Sequence, residues 1–88
     1  MAYKIVYKES VEKDLKGLSR EIKSKILDRI ERDLSADPQG KGKPLKGNWE
    51  GLWRYEMQSY RVIYAIFEEE STILIVRIGH RKEVYRRR

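Results

Sequence analysis

The chain contains no cysteine, a single histidine, two prolines and one phenylalanine. Without cysteine there are no disulfides and no thiolate metal ligands, so the fold must be held by its core alone, which suits a reducing compartment. One histidine is too few for a metal centre built from this chain's own side chains, and no cofactor is expected. No apolar run approaches the ~20 residues of a membrane-crossing helix, and the opening "MAYKIVYKES" lacks the apolar stretch of a secretory signal. These absences lead to the expectation of a cytoplasmic protein with no membrane partner.

What is present is charge. Of 88 residues, 39% are charged and 40% hydrophobic, the balance of a folded, heavily charged chain. The length suits a single domain over 1–88, near the lower limit for a core without staples. Net charge is +6, and its placement says more than its size. Between Arg77 and Arg88 six basic residues (Arg77, Arg81, Lys82, Arg86, Arg87, Arg88) face Glu83 alone, so five of the six net charges lie there. A second basic run, Lys41, Lys43 and Lys46, lies upstream. Such asymmetry points to a polyanionic partner, either nucleic acid or an acidic peptide, against the plainer reading of a solubilising surface.

Periodicity divides the chain. "AYKIVYK" (2–8) alternates and reads as a strand. Ser10 is placed to cap a helix in which Val11, Leu15 and Leu18 recur, Gly17 weakens it, and Ser19 offers a second cap. Ile22, Ile26, Ile30 and Leu34 then repeat every fourth residue and predict an amphipathic helix ending before Pro38. "DPQGKGKPLKGN" (37–48) reads as a loop by its glycines and prolines. Strand candidates follow at Leu52–Met57, Tyr60–Phe67 and Thr72–Gly79. The expected fold is α+β: an N-terminal strand, an α-helical hairpin and a three-strand antiparallel meander (β-α-α-β-β-β), with helices on one face of the sheet.

A two-residue turn at Gln58-Ser59 sets Glu56 opposite Arg61. Trp53, Tyr55, Met57, Tyr60, Val62, Tyr64 and Ile66 then share the helix-facing side, with Trp53, Tyr55 and Tyr64 read as core. Leu52, Arg54, Glu56, Arg61, Ile63, Ala65 and Phe67 share the other. Strict alternation in the last strand groups Leu74, Val76 and Ile78 on one face and Ile73, Ile75 and Arg77 on the other. The ordinary reading of Arg61 is a cross-strand ion pair with Glu56, worth ~0.2–1 kcal/mol. The ordinary reading of Arg54 is a solvated strand residue, and of His80 a polar strand end.

At "LWRYEMQSYRVIYAI" and "ILIVRIGHRKEVY", with "GKGKPLKG" before and the two-helix start, the sequence resembles the RelE/ParE toxin superfamily, and most closely its RelE branch. The resemblance implies a toxin of a type II toxin–antitoxin pair. Such a toxin cleaves messenger RNA on the ribosome without a metal, leaving a 2′,3′-cyclic phosphate and a 5′-hydroxyl. It implies a cognate antitoxin, the ribosome and mRNA as partners. On this resemblance Arg61, Arg81 and Tyr85 are catalytic candidates, with Arg54 matching one of two basic positions on the hairpin's first strand. Glu56 stands where the family's other basic residue falls, so it either neutralises Arg61 or acts as a base.

The chemistry suits these residue types. Guanidinium forks pair with phosphate oxygens. His80, next to Arg81 in the sequence, is chemically suited to proton transfer and is a credible substitute for it. Tyr85 can stack on a splayed base. Lys41, Lys43, Lys46, Arg77, Lys82 and Arg86–Arg88 form the expected RNA- and ribosome-binding set. Two other readings remain at this point: a non-nucleolytic ParE-like toxin acting on DNA gyrase, and a basic RNA-binding domain without catalysis.

Overall fold

The helical stripe buries as its spacing requires. Val11, Ile26, Ile30 and Leu34 lose all solvent exposure against Tyr55, Met57, Val62, Tyr64, Ile73, Ile75 and Ile78. A computed structural model describes residues 2–80, and its α-helices and strands follow one another in a mixed order. They run β1 (Lys4–Tyr7), α1 (Glu9–Lys16), α2 (Arg20–Arg29), α3 (Pro38–Lys41), β2 (Lys43–Pro44), β3 (Trp53–Met57), β4 (Tyr60–Phe67) and β5 (Thr72–His80). The arrangement is α+β as expected.

Helix starts and stops follow local chemistry, with departures from the expected pattern at Ser10, at Ile30–Leu34 and after Asp37. Ser19 caps α2, its Oγ accepting from the Ile22 amide at 3.3 Å. Ser10 does not cap: it lies inside α1, and its hydroxyl donates to the Val76 carbonyl at 2.7 Å. Beyond α2 the helix widens into a π-helical turn over Ile30–Leu34, where one regular helix was expected. Ser35 Oγ donates to the Glu31 carbonyl four residues back, a bond that competes with the backbone ladder. Asp37 then accepts from the Gly40 amide at 3.0 Å, and Pro38 takes the first position of α3. The segment expected as loop therefore holds a short helix and a two-residue strand.

The sheet order is β1-β5-β4-β3-β2. The β3–β4–β5 meander is antiparallel, with Met57 opposite Tyr60 and Glu56 opposite Arg61 as the hairpin geometry demands. β1 instead joins β5 in parallel, Lys4 beside Thr72 through Tyr7 beside Ile75, so the sheet is mixed. A parallel partner needs a long crossover, and the whole intervening chain supplies it.

The last strand departs from strict alternation. Ile63 pairs with Arg77 but Tyr64 pairs with Ile75, which leaves Val76 as an extra residue. Ile73, Ile75 and Ile78 consequently share the core, while Arg77 turns to the side of Ile63. The cause lies in α1. After β1 ends, Lys8 N donates to the Ile75 carbonyl, Ser10 binds the Val76 carbonyl, and Asp14 accepts from the Ile78 amide at 2.9 Å. The helix thus occupies the edge of β5 that β1 leaves open, and the bulge fits the strand to it.

Candidate nucleic-acid interface

Register places the charged residues of the sheet on the side away from the core. Across β2, β3, β4 and β5 one row reads Lys43, Arg54, Ile63, Arg77, and the neighbouring row reads Glu56, Arg61, Gly79. Ile63 is fully buried on this side, between two arginine neighbours, so the face is less bare than alternation alone suggests.

The three guanidinium groups are in different electrostatic states. Arg61 Nε and Nη2 both reach Glu56 Oε2 at 2.6 Å, with the two side chains 20% and 46% exposed. That is the expected ion pair. Arg77 is held by Asp14 of α1 through two parallel bonds of 2.9 Å, Nε to Oδ2 and Nη2 to Oδ1. This partner raises the arginine's pKa above its ordinary value, against the opposing effect of burial. Arg77, expected in the RNA-binding set, is thus already held by a carboxylate of the same chain. Arg54 is half-buried, its Nε is closed off from solvent without a hydrogen-bond partner, and it forms no ion pair among the described residues.

The remaining candidates separate. Lys41, Lys43 and Lys46 are all exposed around β2. His80 pairs with Tyr60 in the ladder, and the two rings meet edge to face at 5.9 Å. Tyr60 packs on the core, so strand geometry puts His80 on the helix side, not with Arg61. The sequence reading set His80 beside Arg81 as its substitute in proton transfer, and Arg81 lies outside the described residues. Arg81, Lys82, Tyr85, Arg86, Arg87 and Arg88 lie outside the described residues.

Tyr55 and Tyr64 lie in the core and Trp53 packs against it, as expected. The Tyr55 hydroxyl donates to Asp33 Oδ2 at 2.5 Å, and the Tyr64 hydroxyl to the Pro38 carbonyl at 2.6 Å. Burial raises the pKa of Tyr55 and Tyr64, with Asp33 adding to the rise at Tyr55. The bond from Tyr55 in turn holds the Asp33 carboxyl below its usual range. On the open side a hollow of about 230 Å³ is lined by Lys8, Ser10, Trp49, Leu52, Val76 and Arg77.

Residues 5–85 match the family model for the ParE toxin of type II toxin–antitoxin system, parDE. The chain belongs to this toxin family. Among curated relatives, Toxin RelG of Mycobacterium tuberculosis is 32% identical over 87 residues, spanning 99% of this chain and 100% of that protein. Toxin RelE of the same organism is 30% identical across 96% of this chain and 87% of its own length. Among solved structures, the toxin–antitoxin complex RelBE2 from M. tuberculosis superposes with a TM-score of 0.88 at 30% identity, covering 92% of this toxin and 100% of that chain. The intact E. coli RelBE complex, at 14% identity and a TM-score of 0.72 over 90% and 96%, shares the fold. The curated relatives thus carry the names RelG and RelE under a family model named for ParE, consistent with the RelE/ParE superfamily resemblance.

Two arrangements were missed at the sequence level. Asp14, which removes Arg77 from the charged face, sits 63 positions away and reads as one more polar helix residue. The pairing of Lys43 with Arg54 needs a strand of two residues, too short to leave a pattern. A hint existed in "GKGKP", where a glycine before an alternating lysine permits close backbone approach.

Proposed function

We propose that this toxin is a metal-independent, ribosome-dependent endoribonuclease that cleaves messenger RNA in the cytoplasm, and that a cognate antitoxin docks over the charged face to silence it. The observation that carries this reading is the placement of Arg54 and Arg61 on adjacent rows of the sheet side away from the helices. In the reaction the ribose 2′-oxygen loses its proton to a base and bonds to the adjacent phosphorus. The bond from phosphorus to the 5′-oxygen breaks, and that oxygen takes up a proton. The products are a 2′,3′-cyclic phosphate and a 5′-hydroxyl. Negative charge builds on the non-bridging oxygens, where a guanidinium fork acts best.

Arg61 is the proposed clamp. It must exchange Glu56 for phosphate, an exchange that costs little because the pair is partly exposed and worth at most ~1 kcal/mol. From the family resemblance, Arg81 is assigned to the leaving oxygen and Tyr85 to base stacking. Lys41, Lys46, Lys82 and Arg86–Arg88 are assigned to ribosomal phosphates. A deprotonated guanidine is out of reach in water, so the proton-transfer role of Arg81 relies on the ribosomal environment.

Programmed ribosomes with end-mapping of the message supply the test. Arg61→Ala should retain its fold and lose roughly 10²–10³ in cleavage rate, the usual effect of deleting one transition-state donor. Glu56→Lys should cleave faster if Glu56 only neutralises Arg61, and slower if it is the base. Undiminished cutting by Arg61→Ala would remove that residue from the site. The family model's ParE name favours one second reading, poisoning of DNA gyrase. DNA damage on induction without cuts in translated codons would establish that reading over the nuclease.

A further inference from the structure

We infer that Lys43 and Arg54 together form one anion site, which holds a phosphate of single-stranded RNA beside Arg61. This deepens the ribonuclease reading and rests on it for the identity of the anion.

The short strand β2 carries a local conflict of charge. β2 has two residues, and one of its two cross-strand pairs sets Lys43 directly opposite Arg54. Opposed side chains on an antiparallel ladder stand ~5 Å apart at Cβ, and like charges there are destabilising. The other two arginines of this face each have a carboxylate, Glu56 for Arg61 and Asp14 for Arg77. Lys43 and Arg54 have none among the described residues. Glu56, two positions along β3 on the same face, is turned to Arg61. The Arg54 Nε–H is also shut off without an acceptor, a deficit of roughly 1–3 kcal/mol for a buried donor. A fold that neutralises two guanidiniums and leaves the third beside a lysine has a place for an outside anion.

The backbone is shaped to hold the lysine there. A Cβ on Gly42 would come within 1.8 Å of the Tyr64 hydroxyl and 2.8 Å of the Arg54 carbonyl oxygen. Glycine lets β2 lie against both, and alternation then sends the next residue, Lys43, to the arginine side. Tyr64 is itself fixed by its bond to the Pro38 carbonyl, so the close approach is anchored from α3. The monoanionic phosphodiester of RNA would join the two cations, with the guanidinium offering a fork and the ammonium a point charge.

The probe is a uridine oligomer with 2′-O-methyl riboses, which cannot undergo 2′-oxygen attack, so binding is read apart from cleavage. Affinity is measured by fluorescence anisotropy between 25 and 200 mM salt, both values chosen as roughly bracketing the range over which counterion release is read. Lys43→Ala should weaken binding several-fold and flatten the slope of log affinity against log salt by about 0.7, one phosphate's share. Lys43→Arg should restore both. Lys23→Ala, an exposed α2 lysine, removes the same net charge and should leave the slope unchanged. Lys43→Ala should not lower thermal stability, since it relieves a like-charge contact. The Arg54 Nε–H signal should shift on titration of the wild type and less in Lys43→Ala. Equal losses in Lys43→Ala and Lys23→Ala, an unmoved Arg54 signal, or no salt-dependent binding by the wild type would each overturn the site. Loss of slope in Lys43→Ala alongside intact message on ribosomes would uphold the site and overturn the nuclease.

Discussion

Asp14 accepts three hydrogen bonds, two from the Arg77 guanidinium and one from the Ile78 amide. With side chains only 17% and 13% exposed, the Arg77–Asp14 pair is shielded as Arg61–Glu56 is not. Changing Asp14 takes away the carboxylate that neutralises Arg77 in a poorly solvated place. Asp14→Asn should therefore destabilise the fold by about 3 kcal/mol, the low end for a broken buried pair, as read by urea unfolding. Asp14→Asn with Arg77→Met should recover part of that loss, because the charge that Asp14 neutralised is gone as well. A loss under 0.5 kcal/mol, the ~±0.5 range of ordinary surface changes, would show that Asp14 does not hold α1 to the strand edge. The contrast between the two pairs also explains what could be read in advance. Glu56 and Arg61 flank a two-residue turn, so ladder geometry alone joins them. Asp14 and Arg77 meet only through the fold of the whole chain, and no local pattern announces them.

At the scale of elements, the hairpin was legible because residue type and geometry agreed. Gln58 adopts a positive φ of 56° to close the turn, and the apolar positions on either side fall on one face. β5 was harder. "TILIVRIGH" alternates smoothly, and nothing within it marks Val76 as the bulged residue. The bulge is specified by Ser10 and Asp14 on another element, so periodicity grouped Ile78 with Leu74 and Val76 and separated it from Ile73 and Ile75, with which it shares the core. β2 was invisible for the opposite reason: two residues between glycine and leucine carry no period at all. Its placement depends on Gly42. Gly42→Ala should push β2 off Tyr64 and disturb the bond to Pro38, costing about 1–3 kcal/mol as overpacking does. Thermal unfolding measures the cost, and the amide signal of Leu45, bonded to the Leu52 carbonyl at 2.9 Å, reports the displaced strand. Wild-type stability in Gly42→Ala would mean that β2 is not seated by that contact.

For the whole molecule the governing quantity is the net charge of +6, most of it between Arg77 and Arg88. Like charge gathered on one chain opposes the compact state, and it attracts polyanions; salt screens both effects. The two consequences have opposite sign, which makes them separable. Raising sodium chloride tenfold should raise the thermal midpoint modestly, because repulsion among unpaired cations falls while the shielded Arg77–Asp14 pair loses little. Over the same range, affinity for the 2′-O-methyl oligomer should fall about 25-fold if two phosphates are held, one by Lys43 with Arg54 and one by Arg61, at ~0.7 per phosphate. A midpoint that drops with salt would mean that ion pairs, not the packed core of helices on sheet, dominate stability. An affinity that ignores salt would mean that the open side binds its ligand through apolar contact, and the phosphate-holding role of its arginines would be lost with it.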